Sequence, residues 1–315
     1  MTRHARLLLP LITVLTIIQA SSAADHALVK IAAANMRSKP SHASELVSQA
    51  VLGTPVTLLQ SLDGWYLTET PDGYQGYIAA NSLHPVDSVQ FAAWKNSRRV
   101  MFTAPYTSRV MSRQGPVSDI HAGSILQVTG KAGIDSVKVR LPDGRRGTMP
   151  LNMVTPLDSL TASKIDTGRL TSMARALMGT SYLWGGTTTA AMDCSGLAKI
   201  CYLNQGVILR RDASQQFTTG QQIGTDFHDY RRGDLVFFKS ATTGNIVHVG
   251  IYDHDGLYIH CAGRVRVNSL DAGSPLYIRS NILAGAIRVI PGSQGQAKVT
   301  RHNLYFPVLT APANE

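Results

Sequence analysis

The sequence predicts a multidomain chain: two small all-β barrels followed by one α+β domain. Two observations carry this reading, an internal repeat in the front half and a change of hydrophobic period after Pro156. At roughly 100–200 residues per domain, a chain of 315 residues has room for two or three domains. Its hydrophobic content of 44% is enough to build packed cores.

The segments GTPVTLL from Gly53, PDGYQGYI from Pro71 and HPVD around Pro85 recur as GSILQVT from Gly123, PDGRRGTM from Pro142 and TPLD around Pro156. The offsets are 70, 71 and 71 residues. Each copy holds short alternating apolar runs (VTLLQ and WYLTE, then ILQVT and VKVRL) punctuated by Asp-Gly turns, the pattern of a small antiparallel barrel. The predicted boundaries are 25–90 and 91–157. Beyond them, KIDTGRLTSMARALMGTSYLWGG sets Leu170, Met173, Leu177 and Met178 at helical spacing before a glycine-rich break. Helical character continues from Ser195 to Asn204 and through SQQFTTGQQIG; from Asp234 the strands DLVFFK, NIVHVGIY, LYIHCAG and GAIRVI follow. Helices first and then an antiparallel sheet define an α+β domain over 158–294, with a tail at 295–315.

Residues 1–24 read as an export signal: MTRHAR is basic, LLLPLITVLTIIQA is apolar, and SSAAD offers small residues for a cut near Ala24. A periplasmic or secreted location is expected. No other stretch reaches the roughly 20 apolar residues that a membrane span requires, and no cysteine at the end of the signal offers a lipid attachment point. Removing the signal takes away Arg3 and Arg6 and no acid, so the formal charge moves from +10 to +8. A basic exported protein suits an acidic partner such as cell-wall material, although the same charge spread evenly is an ordinary solvated surface. The pairs Arg98-Arg99, Arg145-Arg146, Arg210-Arg211 and Arg231-Arg232 are dispersed and poorly interleaved with aromatics, which argues against nucleic acid.

Three cysteines, Cys194, Cys201 and Cys261, leave at least one thiol unpaired in a compartment that favours disulfides. On one helix Cys194 and Cys201 would be about 10.5 Å apart along the axis, beyond the roughly 7 Å that a disulfide tolerates, so any intrachain bridge involves Cys261. Cys194, in MDCSGLAKICYL, falls where a helix begins. There free N–H groups and the helix dipole favour a thiolate, and Asp193 is placed to cap the helix or to project into a cleft. A nucleophilic thiol needs a base, and His248 and His260 flank the turn DHDG on successive strands. In an antiparallel pair, facing residues have a constant sum of sequence numbers; an even sum puts both histidines on one face, an odd sum separates them. A two-residue Asp-Gly loop gives an odd sum. The catalytic reading therefore requires an odd-length loop, expected over 254–256 with Gly256 left-handed. His248 is then the base and His260 its orienting group. Taken alone, a cysteine and two strand histidines are more often ordinary core or surface residues, and their spacing matches no compact zinc site.

The ordered set YLWGG, DCSGL, LRRDASQQ, RRGDLVFF, HVGIY and IHCAG resembles the NlpC family of cell-wall cysteine peptidases over about 110 residues. The repeated front half, best in ELVSQAVLGTPV and GWYLTETPDGYQGY, is similar to the two bacterial SH3-like domains that precede the catalytic domain in γ-D-glutamyl-L-diamino-acid endopeptidases of this family. The resemblance implies a papain-like catalytic domain with a Cys194-His248-His260 site. It also implies hydrolysis of the γ-D-glutamyl to diamino acid bond of peptidoglycan stem peptides, without metal or organic cofactor. By motif, Asp193, Glu45 and Tyr74 fall where such enzymes hold the free amino terminus of L-Ala. Ser214 falls near the bound peptide, Ser195 counts with it among the substrate-binding residues, and Tyr182 falls beside the nucleophile, where its hydroxyl would assist the oxyanion. An amine pocket of this kind favours muropeptides already freed from the glycan. Cys261 departs from the family's usual Ala or Ser and should point away from the cleft. A non-catalytic wall-binding scaffold, or acyl transfer on the same site, are the alternative readings.

Overall fold

The computed structural model describes residues 24–162, 164–290, 298–299 and 305. The expected export signal lies outside the described residues except for Ala24, as does most of the tail. No helix among the described residues is long and apolar enough to cross a membrane.

The first β-domain comprises β1 (His26–Val29), β2 (Ala33–Arg37), β3 (Leu46–Val51), β4 (Pro55–Leu62), β5 (Trp65–Glu69), β6 (Gln75–Ala79) and β7 (Leu83–Val86), in the order β3-β2-β6-β5-β4-β1-β7. After α1 (Ser88–Asn96), the second comprises β8 (Arg99–Phe102), β9 (Ser108–Ser112), β10 (Gly115–Ile120), β11 (Ile125–Val128), β12 (Ser136–Arg140), β13 (Arg146–Pro150) and β14 (Val154–Pro156). Its order, β10-β9-β13-β12-β11-β8-β14, repeats the first strand for strand. The sequence repeat is therefore a repeat of topology. Each unit closes over its own apolar side chains, around Met36, Val56 and Ile78 in one and Phe102, Val110 and Leu126 in the other.

The repeated glycines carry the docking of one unit on the next. Gly53 has φ +77°, and a Cβ there would sit 1.9 Å from the Ile125 carbonyl oxygen of the second unit. Leu52 and Ile125 are joined at the same place by a backbone hydrogen bond of 2.8 Å. The equivalent Gly123 faces Leu203 of the third domain.

That domain contains α2 (Leu157–Ala162), α3 (Thr167–Ala176), β15 (Ser181–Tyr182), β16 (Ala191–Met192), α4 (Cys194–Leu203), β17 (Val207–Ile208), α5 (Ala213–Phe217), β18 (Gln221–Ile223), β19 (Leu235–Lys239), β20 (Ile246–His254), β21 (Leu257–Ala262), β22 (Arg264–Ser269) and β23 (Ile282–Arg288). The sheet runs β16-β15-β22-β21-β20-β19-β23-β18 and is antiparallel except between β15 and β16. Strand alternation sends Phe237, Val249, Ile251, Ile259, Cys261 and Val265 into one core with Leu170, Leu197 and Cys201 of α3 and α4. Val236, Phe238, Tyr252 and Tyr258 pack on the opposite face. In the tail, β24 (Lys298–Val299) pairs with β17, and Tyr305 is buried beside Leu28, Val86 and Ile208.

SQQFTTGQQIG departs from its expected helix. Only α5 is helical; the chain then becomes β18 and pairs with β23. The unpaired edge of β23 offers backbone partners to a segment interrupted by Thr218, Thr219 and Gly220, and that tertiary pairing wins over a weak local propensity.

Replacing Gly53 by Ala forces an L-residue into the left-handed region against a fixed backbone carbonyl. Thermal or urea denaturation of Gly53→Ala is expected to show a loss of at least about 2 kcal/mol, whereas Gly64→Ala, with open space around its Cβ, loses less.

Candidate active site

Cys194 is the first residue of α4, and Asp193 is its N-cap, with extended backbone and Oδ1 accepting from the Gly196 N–H at 2.7 Å. Capping fixes where the helix starts and so places the thiol at its positive end. Burial nevertheless dominates. Together with the nearby Asp193 charge it pushes the Cys194 thiol up to about 11, against the pull of the Val249 and Ser195 backbone N–H groups that bond the sulfur and of Arg211.

Val249 directly follows His248 on β20. The register pairs Gly250 with His260, so the sum is even and His248 lies diagonally across from His260 on one face. The expected three-residue loop is not how this arises. The turn has two residues, Asp255 at φ 48° and Gly256 at φ +74°, and pairs His254 with Leu257, an odd sum. A bulge between Tyr252 and His254 then adds one residue to β20 and makes the sum even. The extra residue, Asp253, is buried and ion-paired with Arg175 of α3 and, at 3.4 Å, with Arg232. Gly250, opposite His260, leaves the room: a Cβ there would lie 2.7 Å from the Tyr258 ring.

The hydrogen bonds on this face determine the tautomers. Asn268 of β22 donates through Nδ2 to the Leu276 carbonyl at 2.6 Å, so its Oδ1 is the acceptor facing His260 Nε2 at 2.7 Å. His260 Nε2 therefore carries its proton and a neutral His260 accepts at Nδ1. His248 Nε2, 2.7 Å from that atom, must be the donor. His248 Nδ1 is left with a free lone pair. Burial, together with the charge of Arg266, lowers His248 to about 3 and His260 to about 4; His260 also lowers His248, and Asn268 partly restores His260. The resting pair is a neutral thiol and a neutral imidazole.

Asp193 was expected at an amine pocket, and its oxygens are otherwise engaged. Besides capping α4 they accept from Arg211 Nη2 at 2.5 Å, Arg211 Nη1 at 3.2 Å, the Gly185 N–H at 3.0 Å and the Ser195 hydroxyl at 3.1 Å. Ser195 accepts in turn from Arg211 at 2.8 Å, so its hydroxyl serves this network. Arg211 also donates through Nε to Ser48 of β3, tying the thiol-bearing helix to the first β-domain. Nearby, Glu45 is exposed and accepts from Trp184 Nε1 at 2.8 Å. Tyr74 is half-buried; burial and the charges of Asp212, Asp72 and Glu45 raise its hydroxyl. Burial likewise raises Asp212, against Arg211. Tyr182 is pushed up to about 12, first by burial and then by Cys194 and Asp193. Ser214 is exposed on α5. Cys261 donates to the Met192 carbonyl from the helix-side core, opposite the face of His260, and all three cysteines are free.

The profile of the NlpC/P60 family matches residues 179–279, and that of the bacterial SH3 domain matches residues 32–84. This chain carries an NlpC/P60 domain behind a bacterial SH3 domain. A Lysinibacillus sphaericus protein named dipeptidyl-peptidase 6 is 28% identical over 264 residues, covering 80% of this chain and 94% of its own. A Bacillus cereus protein named gamma-D-glutamyl-L-lysine dipeptidyl-peptidase is 28% identical over 266 residues, covering 79% and 77%. The crystal structure of an NlpC/P60 family protein from Bacillus cereus superposes with a TM-score of 0.74 at 23% identity, over 84% of this chain and all of that one. The bacterial SH3 match covers the first β-domain; the second shares its strand order.

Three residues of the NlpC/P60 site were missed in the sequence. Arg211 and Asp212 stand inside the quoted LRRDASQQ motif, where charge alone did not distinguish the buried Arg211 and half-buried Asp212 from surface residues. Asn268 was within reach: the parity rule, applied to the next hairpin, puts Arg266 and Asn268 on the face of His260.

Because the thiol is protonated well above neutrality, its thiolate fraction grows about tenfold per pH unit until the pH nears the thiol's own value. Iodoacetamide alkylation of Cys194, followed by mass spectrometry, is expected to accelerate steadily from pH 7 to pH 9 without a plateau. A plateau below pH 8 would reveal a standing thiolate–imidazolium pair instead.

Proposed function

We propose that the protein is a cysteine peptidase of peptidoglycan stem peptides, cleaving the bond between γ-D-glutamate and a diamino acid and releasing L-Ala-γ-D-Glu. The observation that carries this is the hydrogen-bonded chain His248–His260–Asn268, which presents a bare Nδ1 beside the segment that bonds the Cys194 sulfur. A helix bearing the thiol, packed on an antiparallel sheet bearing the histidines, is the papain-like arrangement. The names of the relatives support a peptidoglycan-directed activity, and export to the periplasm or cell exterior follows from the apolar leader.

His248 Nδ1 takes the thiol proton as Cys194 attacks the γ-carbonyl, and the imidazolium is stabilised through His260 and Asn268. The oxyanion forms at the amino terminus of α4, where the Tyr182 hydroxyl, protonated at neutral pH, adds a donor. His248 returns the proton to the leaving amine, and water then resolves the thioester by the reverse use of the same base. Proton transfer during the attack requires no standing ion pair, which suits a neutral resting site.

The amino terminus of L-Ala is held by Glu45, Tyr74 and Asp212. Asp193, saturated by its own donors, acts there only through Arg211. Partly desolvated acids take an ammonium readily, and a blocked amine would leave them unpartnered, so freed muropeptides are the preferred substrates. The second β-domain belongs with the first as an SH3-like module that braces the catalytic domain.

Incubation with L-Ala-γ-D-Glu-diaminopimelate is expected to release the dipeptide, with Cys194→Ala inactive. Equal behaviour of wild type and Cys194→Ala would refute the catalytic reading and favour a binding scaffold. N-acetylation of the peptide is expected to lower kcat/KM by about 10²-fold, roughly the cost of one unpaired charge-assisted site, and Asp212→Asn to narrow that gap. Asn268→Ala, which frees the histidine tautomers, is expected to lower kcat about 10²-fold with little change in KM.

A further inference from the structure

Arg266 sits on the histidine face with its Nε unsatisfied among the described residues. It is the direct cross-strand neighbour of His260 on β22, while Val265 and Val267 turn to the helix-side core. Its Nε is buried with no hydrogen-bond acceptor, and among the described residues Arg266 forms no ion pair. The other cations held close to this domain's core are all matched: Arg211 with Asp193, Lys199 with Asp72, Arg288 with Asp234 and Arg175 with Asp253. A partly buried guanidinium beside His260, with its Nε–H unsatisfied, is suited to an acceptor brought by a ligand.

Its side of the cleft is identifiable. Glu45 and Tyr74 belong to the first β-domain, which meets the third domain through Trp184 bonded to Glu45 and Arg211 bonded to Ser48. Arg266 lies instead on the histidine face of the sheet, opposite His260, and its charge lowers both histidines. A peptide anchored by its amino terminus near Glu45 and attacked by Cys194 must send its leaving portion past His248, which protonates the leaving amine. Arg266, opposite His260, lies on that same histidine face.

We infer that Arg266 is a specificity-determining residue that binds a carboxylate of the leaving diamino acid, and so selects diaminopimelate over lysine. This rests on the proposed peptidase reading. Diaminopimelate ends in a carboxylate beside its distal ammonium, whereas lysine ends in an ammonium alone, which a neighbouring guanidinium repels. A bidentate guanidinium–carboxylate pair also supplies the missing acceptor to a planar fork of donors. Both diamino acids carry a main-chain carboxylate when they end the peptide, so the same chemistry has two sources.

The test measures kcat/KM of wild type and Arg266→Gln on L-Ala-γ-D-Glu peptides ending in diaminopimelate, diaminopimelate amidated at its side-chain carboxylate, lysine, and lysine amide. Wild type is expected to prefer diaminopimelate over lysine at least tenfold. Amidation of the side-chain carboxylate, or Arg266→Gln, should reduce that ratio to about twofold or less. If Arg266→Gln instead erases a preference for lysine over lysine amide, the bound group is the main-chain carboxylate and the subsite still stands. A ratio that Arg266→Gln leaves intact for both pairs overturns the inference, as does an equal loss on all four peptides, which marks a structural role. Calorimetry of the same peptides on Cys194→Ala, with and without Arg266→Gln, keeps the readouts apart. If wild type cleaves none of them, the peptidase reading fails, and the binding ratio alone decides the fate of Arg266.

Discussion

The saturated carboxylate of Asp193 is the point on which the rest of this structure turns. One oxygen starts α4 and therefore places the Cys194 sulfur; both hold Arg211, whose remaining donor reaches Ser48 of β3. A buried arginine is tolerable only because protein acceptors replace most of the water it loses, here the two Asp193 oxygens and the Ser195 and Ser48 hydroxyls. The consequence is mechanical as much as electrostatic. Cys194, the loop before α5 and the wall of the first β-domain are joined by one hydrogen-bonded unit. Thr187, bonded to the Gln49 carbonyl at 2.9 Å, and the Lys199–Asp72 pair at 2.5 Å extend the same contact along β3 and the Pro71-Asp72-Gly73 turn.

Duplication supplied two copies of one scaffold, and the copies have diverged in what their turns touch. Asp72 in the first unit reaches α4, whereas the equivalent Asp143 in the second binds Arg145, which itself bonds the Lys30 carbonyl of the first unit. The same turn thus faces the third domain in one copy and the sister domain in the other. The second holds its neighbours in place through contacts such as Asn204 to the Thr103 carbonyl at 3.0 Å.

The third domain shows how far local patterns reach and where they stop. Residue alternation and the Asp-Gly turn were legible, as were the helix at Cys194 and the need for an even register sum. The bulge at Asp253 was not: an inserted residue leaves no mark on a two-residue alternation until its partner strand is known. Arg175, 78 residues away in the chain, is what holds that residue in place. The neutral resting state was likewise hidden. A helix amino terminus favours a thiolate, but burial of Cys194 outweighs it, and burial depends on every element packed around the sulfur.

By itself the sequence determined the domain order, the duplicated strand pattern, the helix that starts at Cys194 and the six ordered motifs of the NlpC/P60 region, because each is written in neighbouring residues or at a fixed spacing. Tertiary structure alone decided the rest: that Asp193 is spent on Arg211, that Asn268 fixes the tautomers of His260 and His248, and that Arg266 is left without an anion. Those outcomes depend on which groups meet across strands and domains and on how much water they lose, and neither quantity is a property of any local stretch of chain.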